Sequence, residues 1–225
     1  MKVLHLHAPT PIGEIDFDTS PLPKRIGIIG TIQTKPDLER VKEYLESKGH
    51  EAFVGGQVLG CDQNAALAIN RDVDAFLFVG SGYFHPVGIA HKFDKICYTW
   101  RPGEKTVDPV PPERYEEIEK RKRGMLAKFY SSDVIGVLMS CKSGQATVQS
   151  SLKKIFELQE QYPEKQFYFF AYNTFDFGSL EDFNFVQCWI NTQCPRIRED
   201  LKVLNIEDLT KASYIHVNLD DIKKK

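Results

Sequence analysis

The chain has 225 residues, 42% of them hydrophobic and 27% charged, with a formal net charge of −2. That length suits one large or two small domains with a real core, and the near-neutral balance excludes a global electrostatic drive toward nucleic acid or a membrane surface. There is no apolar run of membrane-spanning length and no signal peptide. The five cysteines are widely spaced and contain no C-x-x-C pair, so they read as reduced thiols of a cytoplasmic protein. Any metal site must then draw its ligands from distant parts of the chain.

Residues 1–24 are the first segment. Lys2–His7 reads as a strand, and Pro9, Pro11, Gly13, Pro21 and Pro23 mark a weakly structured lead, a linker or a strap lying on something. From Arg25 the pattern becomes strand–helix alternation, giving a first α/β domain over 25–130. Ile26–Thr31 is a continuous apolar run of the kind expected of a parallel strand buried on both faces. Pro36 opens a helix with Leu38, Val41 and Leu45 on one face, closed by Gly49. Glu51–Gly56 is a second strand, Leu59–Asp62 a turn, and a helix runs through Ala65–Ile69. Ala75–Val79 is a third strand, ending in Gly80-Ser81-Gly82-Tyr83-Phe84-His85-Pro86, and Lys95–Trp100 a fourth. Prolines 102, 109, 111 and 112 bound a loop before a charged helix from Glu113 to about Lys128, whose simplest reading is a solvated face.

The pattern restarts in a second α/β domain over 131–225. Val134–Met139 echoes Ile26–Gly30, and a long helix follows with Val148, Leu152, Ile155 and Phe156 on one face. Gln166–Phe170 and Phe185–Ile190 supply further strands, with Phe183 and Trp189 in the same apolar run. Two domains that each open on an Ile-Gly-aliphatic strand suggest a pseudo-repeated three-layer α/β architecture with mainly parallel sheets, whose ligands sit at the carboxyl ends of the strands.

The unusual side chains fall just after strands. Cys194-Pro195 opens a short charged helix; proline suits the first helical position, which places Cys194 at or near the N-cap. A helix N-terminus favours thiolate over thiol, so Cys194 suits a metal ligand or a nucleophile. Cys61 stands in the same context of strand, turn, cysteine and helix start, which points to a shared site; the alternative is two independent buried thiols. Ser140-Cys141-Lys142-Ser143-Gly144-Gln145 resembles an anion cradle in which backbone N–H groups and a lysine meet a carboxylate or phosphate, and reads equally as a plain tight turn. It is not a Walker A loop, and Gly80-Ser81-Gly82 is not a dinucleotide fingerprint, although it permits close approach of a ligand. His85, between Phe84 and Pro86, suits a structural role, and His5, His7, His50, His91 and His216 carry no signal. Arg196 can clamp a carboxylate. Cys97 and Cys188 lie inside strands and read as core.

Taken together, Gly56-Gln57-Val58-Leu59-Gly60-Cys61, Gly80–Pro86, Lys142-Ser143-Gly144-Gln145 and Cys194-Pro195-Arg196 resemble the diphthamide synthase family, 2-(3-amino-3-carboxypropyl)histidine synthase, in order and spacing over nearly the whole chain. The resemblance implies related α/β domains that each supply one cysteine to a 4Fe–4S cluster binding S-adenosylmethionine. It further implies reductive cleavage to a 3-amino-3-carboxypropyl radical, which adds to a histidine of translation elongation factor 2. Carried onto this sequence, Cys61 and Cys194 are cluster ligands and Cys141 a candidate third. Gly80, Ser81, Gly82, His85, Lys142, Ser143, Gly144, Gln145 and Arg196 are the cofactor-binding candidates, with Lys142, Gln145 and Arg196 toward the carboxylate or sulfonium end. The family's first domain, with its own cysteine, has no counterpart here. The expectation is therefore a fragment, a split subunit completed by a partner chain or by a homodimer, or a member working without a full cluster. The rival of another class is a non-catalytic scaffold or electron-transfer subunit of a catalytic paralogue. Quinolinate synthase also builds a cluster from three related domains, but its motifs do not match.

Overall fold

The computed structural model describes residues 6, 8–60, 62–141, 148–174, 176, 178–197 and 202–212. The chain divides into two units, Met1–Glu117 and Ile118–Lys225, each built on its own sheet.

In the first unit the elements are β1 (Arg25–Gly30), α1 (Leu38–Ser47), β2 (Glu51–Gln57), α2 (Asn64–Ile69), β3 (Ala75–Val79), α3 (Phe84–Phe93), β4 (Cys97–Trp100) and β5 (Asp108–Pro109). The sheet order is β2-β1-β3-β4-β5, parallel except for β5 against β4. Ile26, Ile28 and Ile29 on β1 and all five side chains of β3 are buried, as central strands covered on both faces require. Helix α1 turns Leu38, Val41 and Leu45 into that core, the face read from its 3.6-residue periodicity.

The proline-rich lead has no regular secondary structure over residues 8–19, yet it is part of the core. Ile12, Phe17 and Leu22 are buried with Ile26, Leu77 and Trp100. The Phe17 ring lies 4.6 Å from that of Trp100 and 5.0 Å from that of Tyr44, and the Tyr44 hydroxyl donates to Phe17 O at 2.7 Å while accepting from Phe17 N–H at 3.0 Å. The lead is a strap over the first unit.

Helix α4 (Pro112–Ser131) runs from the first unit into the residues of the second. The second unit continues with β6 (Val134–Ser140), α5 (Val148–Gln161), β7 (Gln166–Tyr172), β8 (Cys188–Asn191), β9 (Leu204–Asn205) and α6 (Ile206–Ala212), its parallel sheet ordered β7-β6-β8-β9. Numbered within each unit, both sheets run second, first, third, fourth strand. Ile135, Val137 and Met139 of β6 and Cys188 and Ile190 of β8 meet Leu126 and Phe129 of α4, Ile155 and Leu158 of α5 and Leu209 of α6.

The repeated Ile-Gly opening has a packing cause. Gly27 of β1 stands in register with Phe76 of β3, and Gly136 of β6 with Trp189 of β8. A Cβ at Gly27 would come to 3.0 Å from the Phe76 ring, and one at Gly136 to 2.5 Å from the Trp189 ring. In each unit a glycine on the central strand makes room for an aromatic on its neighbour.

Three expectations are corrected. Residues 84–93 form a helix that the loop reading of Gly80–Pro86 conceals; Pro86 fits because it lies in the first turn, where N–H groups have no intrahelical partner. The strand expected from Phe185 begins at Cys188, and Phe183 instead ends a 3-10 turn. The rings of Phe183 and Phe185 pack on Phe170, Trp189 and Tyr168, covering the sheet from a crossover instead of extending it. On α5 Ile155 is buried, but Phe156 is 52% exposed and Leu158 takes the core position.

Candidate functional site

In each unit the candidate side chains among the described residues lie where parallel strands end. In the first, the loops after β2 and β3 touch: a Cβ on Gly60 would come to 2.3 Å from the Phe84 ring, so glycine at 60 lets the Leu59–Asp62 turn lie against the start of α3. That turn is closed by Leu59 N–H donating to Asp62 O at 2.7 Å, and Val58 N–H is tied to Gly30 O at 2.9 Å. Cys61 itself lies outside the described residues. The Gly80-Ser81-Gly82 loop departs from β3 with φ of 152° at Gly80 and 79° at Gly82, the latter in the left-handed region that glycine tolerates. Ser81 and Gly82 are exposed, and no atom lies within 4 Å of a Cβ at Gly82, leaving open space over the loop. His85 is half-buried, its ring 5.8 Å from that of Phe78 and 5.1 Å from that of Phe84.

Sequence reasoning missed two arginines here. Arg101, directly after β4, donates to the Tyr83 hydroxyl at 3.1 Å and pairs with Glu104 at 3.0 Å. Arg114, in the first turn of α4, stacks over the Tyr83 ring at 4.5 Å. The available signal was position: Arg101 follows a strand end as the other candidates do.

In the second unit the cysteines divide by environment. Cys188 is fully buried within β8, and burial pushes its thiol up to about 11. Cys97 of the first unit is likewise fully buried, and burial carries its thiol far above the ordinary range. Both are core, as their strand positions implied. Cys141 and Cys194 are exposed. Leu138 of β6 and Asn191 of β8 are register partners, and each cysteine follows three residues later in its own chain segment, so both emerge from the carboxyl ends of neighbouring strands. Cys141 N–H donates to Tyr172 O at 2.8 Å at the end of β7. The Tyr172 hydroxyl is held above the usual phenol range, first by burial and then by its electrostatic interaction with Cys194.

The Cys194 turn is built on buried amides. Asn191 Nδ2 donates to Cys194 O at 3.0 Å and to Asn205 Oδ1 at 2.8 Å, while Asn191 Oδ1 accepts from Gln193 N–H at 3.0 Å. Pro195 and Arg196 form a turn closed by Ile197 N–H donating to Cys194 O at 3.1 Å; Ile197 is the first helical residue, so Cys194 stands three residues before it. Arg196 is exposed. Lys142, Ser143, Gly144 and Gln145 lie outside the described residues.

The donor set suits an iron–sulfur group in kind: exposed thiols at strand ends, distinct from the buried pair. Beside them Gln193, 5% exposed, buries an Oε1 that meets no donor among the described residues, an acceptor suited to an ammonium or N–H of a ligand. The described residues hold no group of three or more His, Cys, Asp or Glu side chains placed to share one metal. No described helix is long and apolar enough to cross a membrane.

The profile of the family described as putative diphthamide synthesis protein matches residues 10–202. The chain is 32% identical over 198 residues to the 2-(3-amino-3-carboxypropyl)histidine synthase of Pyrococcus horikoshii, covering 84% of this chain and 54% of that one. It is 27% identical over 184 residues to the synthase of the same description from Methanocaldococcus jannaschii, covering 80% and 48%. Among solved structures it is similar to Dph2 from Pyrococcus horikoshii with a 4Fe–4S cluster, at a TM-score of 0.71 and 30% identity over 84% of this chain and 57% of that one. The chain thus spans about half the length of the curated relatives it matches.

Proposed function

The chain belongs to the diphthamide synthesis family, and from that premise we propose that it is part of a 2-(3-amino-3-carboxypropyl)histidine synthase. The reaction is transfer of the 3-amino-3-carboxypropyl group of S-adenosylmethionine to a histidine of translation elongation factor 2, in the cytoplasm. Cys61 and Cys194 each serve as a ligand of a 4Fe–4S cluster, and the third thiolate comes from Cys141 or from a partner polypeptide or second copy. The observation that carries this reading is the exposed Cys194 thiol in its Cys-Pro-Arg turn at the end of a parallel strand, in a chain similar to a protein crystallised with such a cluster.

When bound, the cluster supplies one-electron reduction of a sulfonium, and the protein supplies position and electrostatics. Arg196 beside the Cys194 turn offers a planar donor fork for a carboxylate, and Lys142 and Gln145, which follow Cys141 in sequence, are the cation and amide candidates for the same ligand. Gln193 Oε1 suits the amino group of the same ligand. Gly80, Ser81 and Gly82 allow a ligand to approach backbone in the first unit, where His85 supports the loop by packing.

The test is anaerobic reconstitution with iron and sulfide counted, on the chain together with whatever polypeptide completes it. Cys194→Ala and Cys61→Ala should each lose the iron that the parent retains. A full iron complement in Cys194→Ala overturns the assignment. A parent that holds no iron favours the scaffold role.

A further inference from the structure

We propose that Asn191 and Asn205 form an amide clamp that positions Cys194, resting on the reading of Cys194 as a metal ligand. The two are register partners on β8 and β9, at 0% and 2% exposure. Burying two primary amides is costly unless their polar atoms are used. Here all four are. Asn191 Nδ2 reaches both Cys194 O and Asn205 Oδ1, Asn191 Oδ1 holds Gln193 N–H, and Asn205 Nδ2 reaches Pro195 O at 3.4 Å.

What the clamp grips is one dipeptide. Two successive carbonyls, those of Cys194 and Pro195, are tied to strand side chains, and the N–H just before Cys194 is tied as well. The turn also closes on itself through Ile197 N–H donating to Cys194 O at 3.1 Å, so that carbonyl accepts both a backbone and a side-chain donor. Anchoring the peptide plane that follows Cys194, with the Gln193 N–H held just ahead of it, restricts the direction of the Cys194 Cα–Cβ bond, and so the place where its exposed sulfur stands. An apolar pair at 191 and 205 would join β8 to β9 at no polar cost, but it would leave the turn held to the sheet by none of these side-chain bonds. Thiolate ligands need that second layer of support, because a loose ligand costs metal affinity. The clamp is therefore a positioning device. Neither asparagine touches the cluster's ligand atom through its own amide.

Two measurements on Asn191→Ala and Asn205→Ala test it, with Asn205→Ser as the milder loss where an alanine variant does not fold. The first is amide hydrogen exchange on the apo chain. Loss of the clamp should speed exchange at Gln193 and Ile197 about tenfold while β6 stays protected. Unchanged exchange at the turn, or equal acceleration throughout the second unit, overturns the clamp. The second is the rate of iron release to a chelator from the anaerobically reconstituted assembly. It should rise about tenfold in the clamp variants, the double variant should be no faster than Asn191→Ala alone, and Leu158→Ala, which loosens the same core without touching the turn, should match the parent. Release that rises equally in Leu158→Ala reduces the asparagines to general stabilisers. A parent that holds no iron overturns the ligand reading beneath the proposal, even where exchange reports the clamp intact, so the two failures are told apart.

Discussion

Alkylation of the reduced apo chain under native conditions should divide its described cysteines in two. Cys188 lies in β8 with no exposed surface, and burial raises its thiol from an ordinary 9.0 to about 11. At pH 8 an ordinary thiol is about 9% thiolate and one at about 11 only about 0.1%, so ionisation alone slows alkylation about 90-fold. Access adds to this, since iodoacetamide reaches Sγ only when the strand opens. Cys97 is fully buried as well and its thiol is shifted further in the same direction. Cys141 and Cys194 are exposed and need no opening. The assay is a time course with iodoacetamide, peptide-resolved mass spectrometry and an unstructured cysteine peptide as internal standard. When that standard is half labelled, Cys188 should be labelled to about 1% or less, with Cys141 and Cys194 substantially modified, and denaturant should abolish the difference. Labelling of Cys188 within about tenfold of the standard in the folded chain would refute its burial, and with it the division of core thiols from thiols free to meet a metal.

Phe17→Ala should cost about 3–5 kcal/mol, because it empties a buried ring site against Trp100 and Tyr44; calorimetry that finds under about 1 kcal/mol removes the strap from the core. Gly136→Ala should cost about 1–3 kcal/mol by pushing a methyl to 2.5 Å from the Trp189 ring, read as a lower urea midpoint. Trp189→Leu in the same chain should recover part of the loss. Stability should also fall in alkali. The unfolded chain releases the Cys188 proton near 9.0 and the folded chain only near about 11, so this contribution is whole below pH 9 and lost as pH rises through 11. Tyr162, raised by burial from 10.0 to about 12, extends the fall upward, and a denaturation midpoint unchanged between pH 8 and pH 10.5 would contradict both.

Periodicity made the parallel strands readable because they are buried on both faces and leave continuous apolar runs, as Ile26–Gly30 and Val134–Met139 do. It also found Leu38, Val41 and Leu45. It failed where packing is not carried by regular elements. Ile12, Phe17 and Leu22 follow no helical or strand period, since a strap contributes single anchors set by the surface beneath it. The apolar residues around Phe183 and Phe185 continue the β8 run in sequence, but aromatic stacking holds them on a crossover. Helix α3 was hidden by Gly82, Pro86 and Gly88, two of which serve the loop and first turn rather than break the helix.

The candidate ligands were legible for a related reason: a strand that must end at a site ends in residues its hydrophobic run cannot explain. Cys194-Pro195 and Ser140-Cys141 stand out because they interrupt the apolar pattern where a parallel sheet exposes its carboxyl edge. The supports of those residues have no such signature. Asn191 reads as the polar end of a strand and Asn205, fourteen positions on, as an ordinary loop residue, yet both are buried and joined at 2.8 Å. Hydropathy treats a polar residue as evidence of solvent, and these two are polar because a backbone turn, not water, uses their amides. A site of this kind is half readable by construction. The groups that meet the ligand must break the pattern at the surface, and the groups that aim them must do so inside the fold, where only the pairing of β8 with β9 brings them together.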